Sequence, residues 1–378
     1  MKIVQVSPFF APHPGGVESH VRRLSAQLVR EGHEVSVVTS RYDRSLPEEE
    51  WIDGVRVLRG PVRGVLLNTP IDTRVGETLR RLSADVVHLH YPPPLTPYFA
   101  AISLRKSPVP VVLTYHCDLY LPRAWGRLLT GIYERVFVPG LFAQVDRVVV
   151  HTRSYRDTSS VLRNREATVV PSLVDVERFA HPQEIETLRQ ALDLAGQRVI
   201  LFTGRLVPHK GVDTGLRMLA ALPNDVTMLV IGSGPGLEQL EGLARRLGVF
   251  RRVRFLPAVD DADLPRYVAL CDVFVYPSQN RLEGFGLAVA EAMAGARPVV
   301  IADMPGVREV ITAGEEGLLA QPMIPADFAQ KVETILADPA RGARMGERGQ
   351  QRARERFALE RVTEQIVGIY SELIAARR

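Results

Sequence analysis

Short apolar runs alternate with longer amphipathic stretches along almost the whole chain. In the first half the runs lie at 2–6, 35–39, 86–89, 111–115 and 148–150, and most are rich in valine. Runs of this length and composition are typical of parallel strands that are buried on both faces. A glycine loop and a stretch with helical periodicity, 17–30, follow the first run. The pattern therefore predicts a doubly wound α/β domain.

The same pattern starts again after 171–186, a stretch with two prolines and several charges that we interpret as a connection. Further strands are predicted at 199–203, 226–231, 274–276, 299–301 and 317–320, and two helical stretches, 339–356 and 359–376, follow. We therefore predict two Rossmann-like domains, at 1–175 and 176–358. Ligands of open α/β sheets bind beyond the carboxyl ends of the strands, so two such sheets facing a central cleft would share one site.

The composition excludes several classes of protein. A chain of 378 residues with 46% hydrophobic residues can build two folded domains. No apolar run reaches the roughly 20 residues that a membrane span needs, and the first residues lack the features of a signal peptide. The two cysteines, Cys117 and Cys271, are far apart and have no metal-ligand spacing. We therefore expect a cytoplasmic protein in a reducing compartment.

The charge of the chain is mildly basic, with a net charge of +4 and a pI of about 9.2. No concentrated basic run is interleaved with aromatic residues, so we expect no nucleic-acid partner. The segment 119–141 mixes apolar and aromatic residues with three arginines, Arg123, Arg127 and Arg135. We interpret it either as an ordinary packing helix or as a surface that meets the acceptor or an anionic membrane.

The loop from Gly204 to Gly211 carries two cations directly after the first strand of the second half. Arg205 and Lys210 are five residues apart, so a guanidinium fork and an ammonium group can clamp a diphosphate together. The alternative is a solvated basic loop. Lysine occurs only four times in the chain, and this scarcity favours a function for Lys210.

A pair of glutamates flanks a second glycine turn. Glu283 lies in the turn that follows the run at 272–276, and Glu291 lies eight residues later on a predicted helix. A strand, a glycine turn and a helix start form a pocket for anions, because free backbone N–H groups and the helix dipole point the same way. Acids on both sides of such a pocket suit a ligand with central phosphates and hydroxyls at both ends. A nucleotide sugar is such a ligand.

Three weaker signals lie at other strand ends. Gly15 and Gly16 follow the first strand, where paired glycines let a phosphate approach the backbone or simply make a turn. Gly234 lies in the turn 232–236 and either lines a nucleotide pocket or only reverses the chain. His116 ends the run at 111–115 and suits a sugar hydroxyl, a proton transfer, a metal or a structural contact.

The other candidate ligands are weaker still. We interpret His88 as structural and leave the role of His90 open. The acidic cluster 260–263 could pass for a metal site, but we interpret it as the cap and first turn of a helix. We therefore predict no metal site.

Taken together, the motifs resemble the retaining GT-B glycosyltransferases of family GT4. The matching segments, which occur in family order, are Gly15-Gly-Val-Glu18, Thr114-Tyr-His116, Gly204-Arg205, Lys210-Gly211, Gly232-Ser-Gly-Pro235, Glu283-Gly-Phe-Gly286, Glu291-Ala-Met-Ala294, Pro298-Val-Val300 and Glu316-Gly317. The glutamate pair with seven residues between its members is the most specific of them. The resemblance covers most of the chain and implies the GT-B fold, with the helix 359–378 packing back on the first domain.

The resemblance also implies roles for the motif residues. Glu291 would bind the ribose hydroxyls of the donor nucleotide, and Glu283 would face the donor sugar. Arg205 and Lys210, beside Gly204, would neutralise the leaving diphosphate. The backbone amides of Phe285, Gly286 and Leu287 would help them. Gly16 would contact the same phosphates from the first domain, and His116 would hold the sugar near its 6-hydroxyl.

The implied reaction is a hexosyl transfer with retention of configuration and without a metal or another cofactor. Stabilising the departing diphosphate is its main electrostatic task. The donor would carry mannose or glucose, with GDP-mannose favoured over UDP-glucose. The acceptor would be a glycan, a lipid-linked or a small molecule of cell-envelope or polysaccharide synthesis, which also allows a peripheral position on the inner face of the membrane.

Two alternatives remain. The first is a non-catalytic sugar-nucleotide-binding protein on the same fold. The second is a Rossmann oxidoreductase, which the missing GxGxxG fingerprint disfavours.

Overall fold

The computed structural model describes all residues except 67, 68, 73, 120–123 and 378. Part of the predicted surface segment 119–141, including Arg123, thus lies outside the described residues. The chain divides into two compact units, with unit 1 comprising Met1–Leu173 and Leu359–Arg378 and unit 2 comprising Val174–Ala358. The first of these boundaries lies two residues before the predicted one. Among the described residues, no helix is long and apolar enough to cross a membrane.

Unit 1 is built on one mostly parallel sheet. Its strands are β1 (Lys2–Val6), β2 (Glu34–Arg41), β3 (Glu49–Ile52), β4 (Val55–Leu66), β5 (Thr69–Asp72), β6 (Val86–Tyr91), β7 (Val111–Tyr115), β8 (Arg147–Val150) and β9 (Thr168–Val169). Within the described residues they follow the order β3-β4-β2-β1-β6-β7-β8-β9, with β5 paired to β4. The sheet order changes direction at β1, which lies between β2 and β6.

Helices cover both faces of this sheet. They are α1 (Gly16–Arg30), α2 (Val75–Arg81), α3 (Leu95–Ser103), α4 (Ala124–Phe142), α5 (Arg153–Thr158) and, from the end of the chain, α13 (Leu359–Ala376). Alternate residues of β1 enter different cores, because successive strand side chains point to opposite faces. Ile3 packs with α1 and α13, whereas Val4 and Val6 pack with α2 and α3. The last helix thus completes the core of unit 1.

The apolar pattern does not predict β3, β4 and β5. Arginines interrupt β4, and β3 exposes the large side chain of Trp51. One of these arginines, Arg59, has a buried side chain that forms an ion pair with Glu50 and donates a hydrogen bond to the backbone oxygen of Ala11. These strands lie at one edge of the sheet, where two of the pairings are antiparallel. Contacts of this kind depend on tertiary pairing and leave little periodicity in the sequence.

Unit 2 has a parallel sheet with helices on both faces. Its strands are β10 (Arg198–Thr203), β11 (Val226–Ile231), β12 (Val253–Leu256), β13 (Val273–Tyr276), β14 (Val299–Ala302) and β15 (Gly317–Ala320). Its helices are α6 (Ile185–Ala191), α7 (Val212–Ala221), α8 (Leu237–Arg246), α9 (Leu264–Leu270), α10 (Leu287–Ala294), α11 (Pro325–Leu336) and α12 (Pro339–Arg356). The strand order β12-β11-β10-β13-β14-β15 is that of a Rossmann fold. It confirms the predicted doubly wound class, although the short edge strand β12 was not predicted.

Candidate functional site

The switch point of the unit 2 sheet brings the two strongest motifs together. β10 pairs with β11 on one side and with β13 on the other, so the chain leaves β10 and β13 toward opposite sides of the sheet. A crevice opens at the carboxyl ends of such strands. The loop 204–211 follows β10, and the turn 277–286 follows β13. The fold therefore places the predicted cations and the predicted glutamate at the usual ligand position.

Lys210 and Glu283 form a close, largely buried ion pair at this switch point. Lys210 Nζ lies 2.5 Å from Glu283 Oε2 and 2.6 Å from the hydroxyl of Tyr276. The two charged side chains are only 14% and 13% exposed. Burial alone would raise the pKa of Glu283, but the charge of Lys210 and hydrogen bonds from Lys210 and Tyr276 hold it below its usual value. Glu283 is therefore an anion, and its orientation is fixed by two donors.

Arg205 is the second cation of the loop and has a different environment. Its side chain is exposed and makes no hydrogen bond or ion pair in the described part of the chain. Burial and then the charge of Glu283 raise the pKa of Tyr276, and Arg205 is close enough to oppose this rise. Burial and the neighbouring charge of Lys210 lower the pKa of His209 to about 4, so His209 is neutral at pH 7. The loop thus carries two positive charges: Lys210 is paired with Glu283, and Arg205 is exposed to solvent.

Gly234 has a structural role of its own. Its turn lies against the loop after β10, where Leu206 N donates to Ser233 O at 2.9 Å and Gly236 N donates to Leu206 O at 3.0 Å. A Cβ atom at Gly234 would lie 2.5 Å from Leu206 O. Because of this close approach, the turn needs glycine at position 234 whether or not a ligand is bound. The predicted contact of Gly234 with the donor stays a prediction.

The predicted anion pocket would lie at the start of α10. Gly286 precedes the helix with a φ of 90°, a left-handed conformation that favours glycine. The first N–H groups of a helix have no partner within the helix, so the amides of Gly286 and Leu287 can bind an anion. Glu291 lies one turn further along and is 7% exposed. Phe285 packs edge-on against Phe357, with ring centroids 5.3 Å apart, and so anchors the turn.

Arg178 is a site residue that the sequence analysis missed. Its guanidinium lies 3.6 Å from Glu291 Oε1 and 3.4 Å from Asp261 Oδ2. Arg178 belongs to the stretch interpreted as a connection, and nothing in its local pattern signals a site. The acidic cluster was interpreted as the cap and first turn of a helix, and only the position of Asp263 agrees, because α9 has no acidic residue in its first turn. Asp263 occupies the cap position of α9 but makes no side-chain cap hydrogen bond, and Asp261 pairs with Arg178 instead.

In unit 1, the glycine loop after β1 leads into α1. His13 Nδ1 lies 3.1 Å from Glu18 Oε1, and a Cβ atom at Gly15 would lie 2.1 Å from Glu18 Oε2. The Glu18 carboxylate thus lies against Gly15, but this flexible side chain can move aside and the φ of Gly15, 168°, is extended backbone that any residue adopts. A Cβ atom at Gly16 would meet no described atom within 4 Å. The open space beside Gly16 would let a ligand approach its backbone.

His116 follows β7 and is part of a buried histidine cluster. Its Nδ1 lies 2.9 Å from His151 Nε2, and its Nε2 lies 3.1 Å from His90 Nδ1. Both ring nitrogens thus have a histidine nitrogen as neighbour inside unit 1. Burial, followed by the neighbouring histidines, lowers the pKa of His116, so the ring is neutral. A contact with a sugar hydroxyl, as predicted for His116, requires the ring to exchange one of these partners.

The other histidines fall into two groups. His88 hydrogen-bonds Tyr370 and Thr114, which fits the structural role inferred for it. His20 and His151 were not singled out in the sequence: His20 lies two residues beyond the Gly15-Gly-Val-Glu18 motif, and His151 lies in a local pattern without any motif. They reach His116 only through the packing of α1 and of the segment after β8.

Family comparisons cover both units. Residues 14–178 match the family described as Glycosyltransferase Family 4, and residues 184–352 match that described as Glycosyl transferases group 1. A D-inositol 3-phosphate glycosyltransferase of Xylanimonas cellulosilytica is 30% identical, with 100% of this chain and 97% of the relative covered. A phosphatidyl-myo-inositol mannosyltransferase of Mycobacterium tuberculosis is 29% identical, with 89% of this chain and 86% of the relative covered.

Solved structures agree in fold. The structure of Anabaena HepE in complex with UDP-glucose matches with a TM-score of 0.82 at 24% identity, covering 98% of this chain and 100% of that one. The sucrose-phosphate synthase of Thermosynechococcus elongatus matches with a TM-score of 0.81 at 24% identity, covering 99% of both chains. Because both structures are 24% identical to this chain, their similarity establishes the fold alone.

Proposed function

Because the chain belongs to the group 1 glycosyltransferases of family GT4 and has their GT-B fold, we propose that it transfers a hexose from a nucleoside-diphosphate sugar bound by unit 2. The observation that carries the proposal is the meeting of Arg205, Lys210 and Glu283 at the switch point of the unit 2 sheet. A diphosphate needs cations and free amides, and a sugar needs a fixed hydrogen-bond acceptor. The two loops supply both.

The proposed roles follow from the environment of each residue. Arg205 is exposed and open, so it binds the diphosphate as a fork. Lys210 adds a second positive charge and holds Glu283 toward the sugar. Glu291 accepts hydrogen bonds from the ribose, and Arg178 fixes its carboxylate. The amides of Phe285, Gly286 and Leu287 complete the phosphate site, with Gly204 and Gly234 lining the loops.

In unit 1 we retain Gly15, Gly16 and His116 as predicted donor contacts. Gly16 is supported by the open space at its Cα, and Gly15 by the loop that positions Gly16. His116 is supported by the family motif and by its place at a strand end. In the proposed role, His116 Nε2 turns from His90 to the 6-hydroxyl of the sugar.

We propose that the reaction retains configuration and needs no metal. The bond between the anomeric carbon and the diphosphate oxygen breaks, and the acceptor oxygen bonds to the same face of that carbon. The acceptor proton passes to the leaving diphosphate. Arg205 and Lys210 supply the charge that a metal would otherwise provide, which is why chelation should not lower the rate.

The donor sugar is mannose or glucose, and we favour GDP-mannose. The mannosyltransferase among the relatives supports mannose, while the UDP-glucose complex of HepE keeps glucose as the alternative. A thermal-shift panel of GDP-, UDP- and ADP-sugars tests the choice, because a bound donor stabilises the fold. GDP-mannose should raise the melting temperature of the wild type, and Arg205→Ala should remove the shift. No shift with any nucleotide sugar would contradict the proposal.

Turnover separates an enzyme from a sugar-nucleotide-binding protein on the same fold. The wild type should release nucleoside diphosphate from the stabilising donor, and Glu283→Ala and Lys210→Ala should do so far more slowly. If the wild type binds the donor but turns it over no faster than either variant, the protein is a binder and not an enzyme.

We propose a lipid-linked or polyol acceptor in cell-envelope synthesis, met at the inner face of the membrane. The names of two relatives, for inositol phosphate and phosphatidylinositol, support an acceptor of this kind. On α4 the side chains of Leu128, Ile132 and Val136 are 66%, 46% and 62% exposed and lie four residues apart. They form an apolar stripe beside the exposed Arg135, which suits an anionic membrane surface.

Vesicle flotation tests the membrane contact. The wild type should float with vesicles of anionic lipid at low salt, and Ile132→Asp should reduce the bound fraction. Trp51→Asp is the matched control, because Trp51 is a 66% exposed hydrophobic residue on β3. Equal flotation of both variants, or no flotation of the wild type, would exclude this use of α4.

A further inference from the structure

Unit 1 buries a group of histidines around His116. Among the described residues His20, His88, His90, His116 and His151 are each at most 9% exposed. His20 lies on α1, His90 on β6, and His116 directly after β7. The proposed transfer uses one of these residues, so the burial of the others requires a further explanation.

The hydrogen bonds determine which nitrogen of each ring carries a proton. The carbonyl oxygen of Val170 can only accept, so His151 donates to it from Nδ1 and accepts at Nε2. His116 then donates from Nδ1 to His151 Nε2, at 2.9 Å, and its Nε2 is a free lone pair. On the other side, His90 donates from Nε2 to Gln5 Oε1 at 2.8 Å, which leaves its Nδ1 as a lone pair.

Two lone pairs therefore face each other. His116 Nε2 and His90 Nδ1 are 3.1 Å apart, and with neutral rings no proton lies between them. Two unprotonated nitrogens at this distance repel each other unless a cation binds both. His20 completes the arrangement, because its Nδ1 is bonded to Ser172 Oγ at 2.9 Å and its Nε2 remains as the candidate ligand atom.

We propose that His20, His90 and His116 bind a divalent transition-metal ion. One ligand nitrogen from each ring lies within 4.8 Å of the other two. Zn²⁺ binds imidazole nitrogens at about 2.0–2.1 Å in a tetrahedral shell, which places neighbouring nitrogens about 3.4 Å apart. The His90 and His116 nitrogens, 3.1 Å apart, are close to this spacing, and the His20 ring would move toward them when the ion binds. Imidazole ligands select Zn²⁺ and its neighbours Co²⁺, Ni²⁺ and Cu²⁺ over Mg²⁺ and Ca²⁺.

The second nitrogen of each ring supports a metal site. Metal-binding histidines usually have their other nitrogen fixed by a hydrogen bond, which sets the tautomer and the orientation of the ring. Here Ser172 fixes His20, Gln5 fixes His90, and His151 fixes His116. The bound ion would tie α1 to the carboxyl ends of β6 and β7. It would also occupy His116 Nε2, so the proposed sugar contact of His116 belongs to the metal-free protein.

Metal titration of the full chain tests the site without any donor or transfer assay. After chelation and desalting, the wild type should bind one equivalent of Co²⁺, with the absorption spectrum of a low-coordinate nitrogen site. Zn²⁺ should displace it. His20→Asn and His90→Asn should each weaken binding at least tenfold, and Ser172→Ala should weaken it about 10- to 100-fold through the lost ring contact.

His88→Asn is the matched control, because His88 is also buried but, among the described residues, its nitrogens hydrogen-bond Tyr370 and Thr114 and none of the three ligand rings. It should bind Co²⁺ as the wild type does. Ser172→Ala keeps every ring, so it remains informative if a histidine variant does not fold, as monitored by circular dichroism.

Two results would overturn the proposal. One is the absence of Co²⁺ and Zn²⁺ binding by the folded wild type. This is also expected if the Gln5 amide is turned, because His90 would then donate from Nδ1 to His116. The other is equal binding by the wild type and the His20, His90 and Ser172 variants.

Discussion

Replacing Lys210 by methionine tests the ion pair at the centre of the proposed donor site. The change leaves Glu283, whose side chain is only 13% exposed, without its cation. Removing one partner of a buried ion pair costs about 3–5 kcal/mol, since the remaining charge is uncompensated. The hydrogen bond from Tyr276 and protonation of Glu283 limit the loss, so we expect the lower end of this range. Lys331→Met is the control, because its pair with Asp327 is 3.8 Å long and more exposed, and such pairs contribute about 0–1 kcal/mol.

The pH dependence of this destabilisation has a defined sign. In the wild type the pKa of Glu283 is lowered, so the pair contributes stability above the ordinary value of 4.5 and loses it as the pH falls through the lowered pKa. In Lys210→Met the charge and hydrogen bond of Lys210 are lost, so that burial, opposed mainly by the hydrogen bond from Tyr276, raises the pKa of Glu283. The stability difference between the two proteins should therefore be largest above the raised pKa of Glu283 in the variant, and it should shrink as the pH falls from there to the lowered pKa of Glu283 in the wild type.

Denaturant unfolding and donor turnover together provide the assay. Lys210→Met should lose stability, and Lys210→Met combined with Glu283→Gln should recover most of it, because neither charge remains. Turnover should stay low in the double variant, since the leaving group has lost a cation. If Lys210→Met is as stable as Lys331→Met, or if the double variant recovers turnover, the reasoning on this pair is wrong.

Three further variants separate binding from packing. Arg205→Ala should slow transfer by about 10²–10³-fold without changing the unfolding midpoint, because its side chain is exposed and makes no described ion pair; a large loss of stability would contradict this. Gly16→Ala should weaken donor binding in calorimetry at unchanged stability, since apart from the adjoining backbone the added Cβ would meet no described atom within 4 Å. Gly234→Ala should instead lower the melting temperature with or without donor, because the Cβ would lie 2.5 Å from Leu206 O. If both glycine variants behave alike, the distinction drawn between them fails.

The Rossmann class of both units could be predicted because their central strands leave continuous apolar runs in the sequence. β10 and β11, for example, are almost wholly buried, and their predicted bounds differ from the observed ones by at most one residue. β3, β4 and β12 lie toward sheet edges, where polar residues interrupt the pattern, and they were missed. The family resemblance is confirmed by matches to both halves of the chain.

The candidate site could be predicted where a motif follows a strand. Arg205, Lys210 and Glu283 belong to such loops, and parallel strands bring their carboxyl ends to one edge of the sheet. Arg178 and His20 could not be found in this way. Their partners, Glu291 and His116, are far away in the sequence and are reached only through packing. The roles assigned to all these residues stay predictions until variants are measured.

The most direct measurement is the release of nucleoside diphosphate from GDP-mannose and UDP-glucose by the purified chain in the presence of a chelator, with water as the acceptor over a long incubation. The account predicts release above the protein-free rate from one of the two donors, and its loss in Glu283→Gln at unchanged fold. Release from neither donor by a wild type that binds them would contradict the account.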